Sequence, residues 1–225
     1  TPTTPSVSVE FTEDKNNDGF LTYTENKNDG KQNESPVLIK VSNVIPGDIL
    51  HVTLTKPDGS TEDRTVAIDQ NIINNGYKID DMPVAGGKTS KVEAYITDSA
   101  NPNTIKSNEA SDSVTPYEIP TIRFTEDKDN NGFLSDAENK GTDENFRTSP
   151  VDITLPKGVV AGDRIVITYT DPLHPSQNLE KSITLTQEMI NNHKVTGYEL
   201  PIFPGVKSEA SVHVIGKDGT QKTEE

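Results

Sequence analysis

A segment near the start of the chain recurs near its middle, and this internal repeat constrains the fold more than any other feature. The five residues Phe-Thr-Glu-Asp-Lys occur at 11–15 and again at 124–128, an offset of 124 − 11 = 113 positions. Further matches follow in the same order, at 18–21 with 131–134 and at 35–37 with 149–151. The repeat predicts two copies of one domain of about 110 residues rather than a single large core.

The boundary between the copies is predicted within residues 115–120. Pro116 and Pro120 lie in this segment, and two prolines so close together make a connection stiff rather than flexible. We therefore assign domain 1 to residues 1–117 and domain 2 to residues 118–225. Copy 2 is expected to lack, within this sequence, the counterpart of the last segment of copy 1.

Short segments in both copies alternate apolar and polar residues. This period of two is typical of strands with one buried face and one wet face. Such segments cover residues 7–11, 37–41, 50–54, 66–68 and 92–96 in copy 1, and 122–124, 151–155, 165–169, 183–185 and 212–214 in copy 2. Only 30% of the chain is hydrophobic, which agrees with half-exposed strands. About seven short strands per copy predict an all-β fold of two tandem immunoglobulin-like β-sandwich domains.

Charge and composition exclude several classes of function. The chain has 21 basic and 36 acidic residues, a formal charge of −15, which opposes binding to nucleic acid or to an anionic membrane. The absence of cysteine removes disulfides, thiol catalysis and Cys-ligated zinc. No apolar run approaches the roughly 20 residues that a membrane-spanning helix needs. We find no pattern of a catalytic nucleophile or acid–base pair, and expect no enzyme.

Residues 14–25 and 127–138 both fit the pattern D-x-[DN]-x-[DN]-G-x5-E of an EF-hand calcium loop. Calcium takes 6–8 oxygen ligands, so short carboxylate and amide side chains at loop positions 1, 3 and 5 must converge, with a backbone carbonyl at position 7 and a bidentate Glu at position 12. The predicted ligands are Asp14, Asn16, Asp18, Phe20 and Glu25 in loop 1 (residues 14–25) and Asp127, Asp129, Asn131, Phe133 and Glu138 in loop 2 (residues 127–138). At least two Ca²⁺ ions are therefore expected as cofactors.

The surroundings of these loops differ from those of a helix–loop–helix EF-hand. A strand pattern, not an amphipathic helix, precedes Asp14. Thr22 and Glu25, like Ser135 and Glu138, have the spacing of a capping box, which predicts a short helix after each loop. We therefore expect an EF-hand-type loop after the first strand of each domain. The alternative is an ordinary hairpin turn, because Asn and Gly at these positions also favour turns.

Tandem acidic, cysteine-free immunoglobulin-like domains with Asp-rich calcium loops and a proline-bearing linker resemble the extender repeats of large bacterial surface adhesins, of the RTX type and of biofilm-associated proteins. The resemblance covers the whole chain at the level of architecture. It implies an extracellular, cell-surface stalk segment, stiffened by calcium, that projects an adhesive tip for attachment or biofilm formation. It also implies a monomer whose partners are neighbouring repeats of the same polypeptide, with host or biofilm ligands held by other domains.

Two other classes of function remain open from the sequence. In the first, the calcium loops shape the binding surface of an adhesive module for carbohydrate or protein. In the second, the chain is an accessory segment of a secreted hydrolase, for which the residues offer no catalytic pair. The sequence also leaves open the organism, the tip ligand, the number of repeats, and whether each ion lies within a domain or at a junction.

Overall fold

The computed structural model describes residues 4–27, 30–139 and 147–225. The chain divides into two compact units, unit 1 (Thr1–Pro116) and unit 2 (Tyr117–Glu225), so that Tyr117 falls in the second. Strands dominate both units, and the described helices are short. The predicted all-β fold of sandwich-like sheets is confirmed.

Unit 1 contains two sheets. The first has the order β1-β3-β6 and the second the order β2-β8-β7-β4-β5, with every pair antiparallel except β2 and β8. The elements are β1 (Ser6–Phe11), β2 (Phe20–Leu21), α1 (Tyr23–Asn26), β3 (Glu34–Ser42), β4 (Ile49–Thr55), β5 (Thr61–Ala67), α2 (Gln70–Asn75), β6 (Tyr77–Pro83), β7 (Ser90–Thr97) and β8 (Ala110–Pro116).

The core of unit 1 is built from the alternating apolar positions. Along β3 every second residue is buried, and β4 shows the same pattern. Phe11, at the end of β1, is fully buried in this core, as is Val114 of β8. The period of two in the sequence therefore places the apolar faces of the two sheets in a common interior.

Unit 2 repeats most of this order. Its sheets are β9-β10-β13 and β12-β11-β14, all antiparallel. The elements are β9 (Thr121–Phe124), α3 (Asp136–Asn139), β10 (Thr148–Thr154), β11 (Arg164–Thr170), β12 (Asn178–Thr184), α4 (Gln187–Asn192), β13 (Lys194–Pro201) and β14 (Ala210–Ile215). Within the described part of unit 2, no strand follows β14, whereas β8 follows β7 in unit 1.

A buried ion pair recurs in the two units. In unit 1 the Lys106 ammonium lies 2.6 Å from the carboxylate of Asp48, which is fully buried. In unit 2 the Lys222 ammonium lies 2.8 Å from the carboxylate of Asp163, which is 1% exposed. Gly47-Asp48 and Gly162-Asp163 occupy equivalent positions of the repeat, but nothing in the sequence indicates that the aspartates are ion-paired.

The sequence patterns did not predict some of the strands and helices. Strand β8 carries mainly Ser, Asp and Thr, and β6 interrupts its apolar residues with consecutive aspartates, so neither shows a clear period. Helix α2 is a short helix whose start is fixed by the Asp69 carboxylate, which accepts a hydrogen bond from the Ile72 amide at 2.8 Å. Helix α4 is equally short, and its start is fixed by the Thr186 hydroxyl, which accepts from the Met189 amide.

Candidate metal centres

Loop 1 folds around the carboxylate of Asp14. The two oxygens of this side chain accept hydrogen bonds from the amides of Asp18, at 3.2 Å, and Gly19, at 2.9 Å. The side-chain oxygen of Asn16 also accepts from the Asp18 amide, and the Asp18 carboxylate accepts from the Phe20 amide. The chain can turn this sharply because Gly19 adopts a positive φ of 81°.

Loop 2 repeats these contacts. The Asp127 carboxylate accepts from the amides of Asn131, at 3.0 Å, and Gly132, at 2.9 Å. Asp129 accepts from the Asn131 amide, and Asn131 accepts from the Phe133 amide. The φ of Gly132 is also 81°. The same sequence pattern therefore gives the same local fold in two places of the chain.

A capping box closes each loop. In loop 1 the Glu25 carboxylate accepts hydrogen bonds from the amide and the hydroxyl of Thr22, while the Thr22 hydroxyl accepts from the Glu25 amide. Ser135 and Glu138 make the same three contacts in loop 2. The predicted short helices are thus confirmed as α1 and α3.

The last carboxylate also reaches back to the start of its loop. One oxygen of Glu25 accepts from the Lys15 amide at 3.1 Å, and one of Glu138 accepts from the Lys128 amide at 3.4 Å. Each loop is therefore a closed ring in which the side chain at position 12 lies beside position 2. The carboxylates at positions 1 and 12 of each loop therefore lie near each other.

The structure brings three predicted ligands of loop 2 into one cluster. Among the described residues, one oxygen from each of Asp127, Asp129 and Glu138 lies within 4.8 Å of the others. Asn131 joins them through a 2.8 Å hydrogen bond from its amide group to Asp129. In loop 1 the amide group of Asn16 bonds the Asp18 carboxylate at 2.9 Å. Among the described residues, Asp14, Asp18 and Glu25 of loop 1 do not form a group as close as that of loop 2. The assignment of the carbonyls of Phe20 and Phe133 stays a prediction.

The electrostatics of the two loops differ. Burial raises the pKa of Asp14, and the nearby carboxylates of Asp18 and Glu25 add to this, while hydrogen bonds from the amides of Gly19 and Asp18 oppose it. In loop 2, hydrogen bonds from the Ser135 hydroxyl and amide lower the pKa of Glu138. Asp14 therefore holds its negative charge in an unfavourable environment, which a bound cation would relieve.

Sequence reasoning missed a set of buried polar residues behind the loops. Glu13 and Glu126 are each 4% exposed, and Ser35 and Ser149 are fully buried. The glutamates precede the first aspartate of each loop, inside the repeated Phe-Thr-Glu-Asp-Lys segment. The sequence shows that Glu recurs at this position, but the calcium-loop motif begins one residue later and gives this Glu no role.

Comparison with known proteins gives only distant matches. No protein-family model and no curated protein matches the chain. A solved tetra-tandem repeat from the extending region of a large adhesion protein is 15% identical, with a TM-score of 0.31, over 96% of this chain and 47% of that one. The FN1–FN3 domains of chicken CNTN1 are 15% identical, with a TM-score of 0.28, over 85% of this chain and 60% of that one.

A third structure that matches is an enzyme. Native α-L-rhamnosidase from Aspergillus terreus is 10% identical, with a TM-score of 0.33, over 96% of this chain and 28% of that one. The chain thus spans less than two thirds of the length of each of these three structures. None of the helices in the described residues has the length and apolar character needed to cross a membrane.

Proposed function

We propose that loops 1 and 2 each bind one calcium ion, and that the chain serves as a calcium-stiffened spacer of a large bacterial surface adhesin. The observation that carries this proposal is the recurrence of one twelve-residue loop, with the same backbone turn and the same capping box, at equivalent positions of the two units. The donors at each loop are carboxylate, amide and carbonyl oxygens, the ligands that calcium prefers. Magnesium fits less well because it demands tight octahedral geometry and keeps its waters.

Calcium would stabilise a ring of carboxylates that repel one another when no cation is present. If the affinity resembles that of extracellular calcium modules, with a Kd of about 10⁻⁴ M, millimolar calcium adds roughly 1.4–2.7 kcal/mol per site. This is a substantial part of the 5–15 kcal/mol stability of a typical domain. This added stability suits a spacer, because a folded, calcium-loaded repeat resists local unfolding.

The spacer role also agrees with the rest of the chain. Strands dominate both units, the formal charge is −15, and the same domain pattern occurs twice. A repeated module with a polar surface can be joined in series without aggregating, since net charge keeps it soluble. We propose an extracellular, cell-surface location for it, where calcium is millimolar, and we propose that it has no enzymatic activity.

The test is thermal unfolding and small-angle scattering of the chain in millimolar calcium and in excess EGTA. We expect chelation to lower the melting temperature and to increase the flexibility seen by scattering. The double variant E25Q/E138Q should show a smaller rise of melting temperature on adding calcium than the native chain shows. Glu180→Gln, on the exposed β12, is the matched control and should respond like the native chain.

Two results separate the calcium proposal from the spacer proposal. Equal melting temperatures with and without calcium would refute the metal sites. A calcium-dependent melting temperature with unchanged scattering would keep the sites and refute the stiffening.

An adhesive module is the second candidate, and one residue favours it. Phe133 is 77% exposed within loop 2, and an exposed aromatic ring next to a calcium loop suits the apolar face of a sugar or a peptide side chain. Glycan and protein-array binding of the native chain and of Phe133→Ala would test it. Binding that depends on both calcium and Phe133 would favour this role over the spacer.

A further inference from the structure

A group of polar side chains, the inner polar cluster (Glu126, Asn139, Thr148 and Ser149), lies inside unit 2 behind loop 2. Glu126 is 4% exposed, Asn139 8%, and Ser149 is fully buried. The Asn139 amide group donates to the Glu126 carboxylate at 3.0 Å and to the Thr148 carbonyl at 3.3 Å. These contacts tie α3, β10 and the segment after β9 together at one point.

The strand register brings Ser149 to the same point. Val151 of β10 pairs with Phe124 of β9, and the Thr125 amide donates to the Pro150 carbonyl at 2.9 Å. Continued by two residues, this register sets Glu126 opposite Ser149, and side chains directly opposite on one face are about 5 Å apart. Both are buried, so they face the same interior.

Several oxygens of the inner polar cluster have unused hydrogen-bonding capacity. Within residues 4–27, 30–139 and 147–225, no hydrogen-bond partner is found for one Glu126 oxygen or for the hydroxyls of Thr148 and Ser149. Buried polar atoms in folded proteins are nearly always satisfied. The cluster therefore points to a ligand that offers several contacts to oxygen.

The negative charge of Glu126 favours a cation over a water molecule as the ligand of this cluster. A buried water could satisfy the two hydroxyls, but it would leave the carboxylate charge uncompensated in a dry interior. Buried charges are normally paired or coordinate a metal. In the described part of the chain no Lys, Arg or His forms an ion pair with Glu126.

We propose that the inner polar cluster is a second divalent-cation site, distinct from loop 2 and suited to calcium. Of two consecutive residues, one belongs to loop 2 and the other to the inner polar cluster. Asp127 and Glu138 belong to the loop, whereas their neighbours Glu126 and Asn139 face the interior. Carboxylate, amide and hydroxyl oxygens, with the Thr148 carbonyl, form a hard donor set of the kind that calcium takes. This inference extends the proposed calcium binding of the loops and concerns different residues.

Unit 1 has the same residue at three of the four equivalent positions, and Glu34 stands where unit 2 has Thr148. Glu13 continues the β1–β3 register opposite Ser35, and Asn26 follows Glu25 as Asn139 follows Glu138. Ser35 is fully buried and Asn26 is 7% exposed. The carbonyl oxygen of the Asn26 side chain and the Ser35 hydroxyl have no hydrogen-bond partner among the described residues. The repeat thus places a corresponding site in unit 1, and four ions per chain are expected in total.

The test is the number of calcium ions bound by the whole 225-residue chain, counted by native mass spectrometry and by equilibrium dialysis with calcium as the only probe. We expect four ions for the native chain and for the control Glu180→Gln. Glu126→Gln and Glu138→Gln should each lose one ion, and the double variant two. Ser149→Ala, a milder change, should weaken one site by about tenfold.

Unfolding supplies a readout that an ordinary structural role would not move in the same direction. In EGTA, Glu126→Gln should melt at or above the temperature of the native chain, because the substitution removes an uncompensated buried charge. In calcium it should melt below the native chain. A variant that is simply misfolded would melt lower in both.

The two proposals fail in different ways. If Glu126→Gln binds as many ions as the native chain, or Ser149→Ala leaves every site unchanged, the inner site is refuted, and a loss in Glu138→Gln still leaves the loop sites standing. If Glu138→Gln loses no ion while Glu126→Gln does, the loop assignment fails and the inner site holds.

Discussion

Loops 1 and 2 share their sequence pattern and their internal hydrogen bonds, but they differ in what lies against them. In loop 1, Phe20 and Leu21 form β2, which pairs with β8, and the Gly19 carbonyl accepts from the Thr115 amide at 2.9 Å. In the described part of unit 2, residues 133–134 form no strand. Local sequence therefore sets the shape of each loop, while tertiary neighbours set its burial.

The difference is visible at loop position 8. Leu21 is 1% exposed and belongs to the core of unit 1, whereas Leu134 is only half-buried. The capping residues follow the same trend, since Thr22 is buried and Ser135 is exposed. Loop 1 is thus part of a packed domain, and loop 2 is held mainly by its own hydrogen bonds.

Away from β8 the two units agree closely. The pairs Asp48–Lys106 and Asp163–Lys222 have nearly the same length. The aspartates also accept a backbone amide each, from Ile45 and from Val160 respectively. The contrast between the loops therefore does not extend to this part of the repeat, and this can be tested by paired substitutions.

The largest expected loss of stability should be equal in the two units. Lys106→Met and Lys222→Met each leave a buried aspartate without its cation, which costs about 3–5 kcal/mol when a pair is fully buried. Because the lysines are partly exposed, we expect values near the lower end, and similar in the two variants. Urea unfolding measures both. Asp48→Asn combined with Lys106→Met should recover part of the loss, and a large difference between the two single variants would break the equivalence of the units.

The next largest loss of stability should differ between loops 1 and 2. Leu21→Ala removes a fully packed side chain and should cost about 2–5 kcal/mol, as cavity-forming substitutions do. Leu134→Ala removes a half-exposed side chain and should cost less than half as much, because the site can collapse and part of the surface is already wet. Urea unfolding in EGTA keeps calcium out of the comparison. Equal losses would mean that loop 2 is packed as firmly as loop 1.

The sequence predicted those features that depend on local pattern. The period of two placed most of the strands, the repeat placed the equivalences, and the loop motif placed Asp14, Glu25 and their counterparts around closed rings. It did not predict β8, because Val114 is its one fully buried apolar residue. That strand is held by its pairing with β7 and by the Asp112 carboxylate, which accepts from the Phe11 amide at 2.7 Å.

The inner polar cluster was missed for a related reason. Glu126 and Ser149 are far apart in sequence and both are polar, so a pattern of hydropathy predicts them to be exposed. Their burial follows from the register of β9 and β10, which only the folded chain reveals. The ion pairs of Asp48 and Asp163 are hidden in the same way, since Lys106 and Lys222 lie more than fifty residues further along the chain.

The smallest expected loss of stability should again be equal in the two loops. It measures how much the backbone conformation of each loop contributes to stability. Gly19 and Gly132 each have a φ of 81°, a conformation that costs an L-residue about 1–2 kcal/mol. A Cβ at Gly19 would lie 3.8 Å from the Ser113 carbonyl, and one at Gly132 would have nothing within 4 Å, so neither substitution adds a clash. Gly19→Ala and Gly132→Ala should therefore lose similar stability in EGTA. Gly59→Ala, at a φ of 83° in an open turn, gives the reference value for the backbone alone. A clearly larger loss at Gly19 would show that β8 strains loop 1 as well as burying it, and the shape of that loop would then no longer be set by its sequence alone.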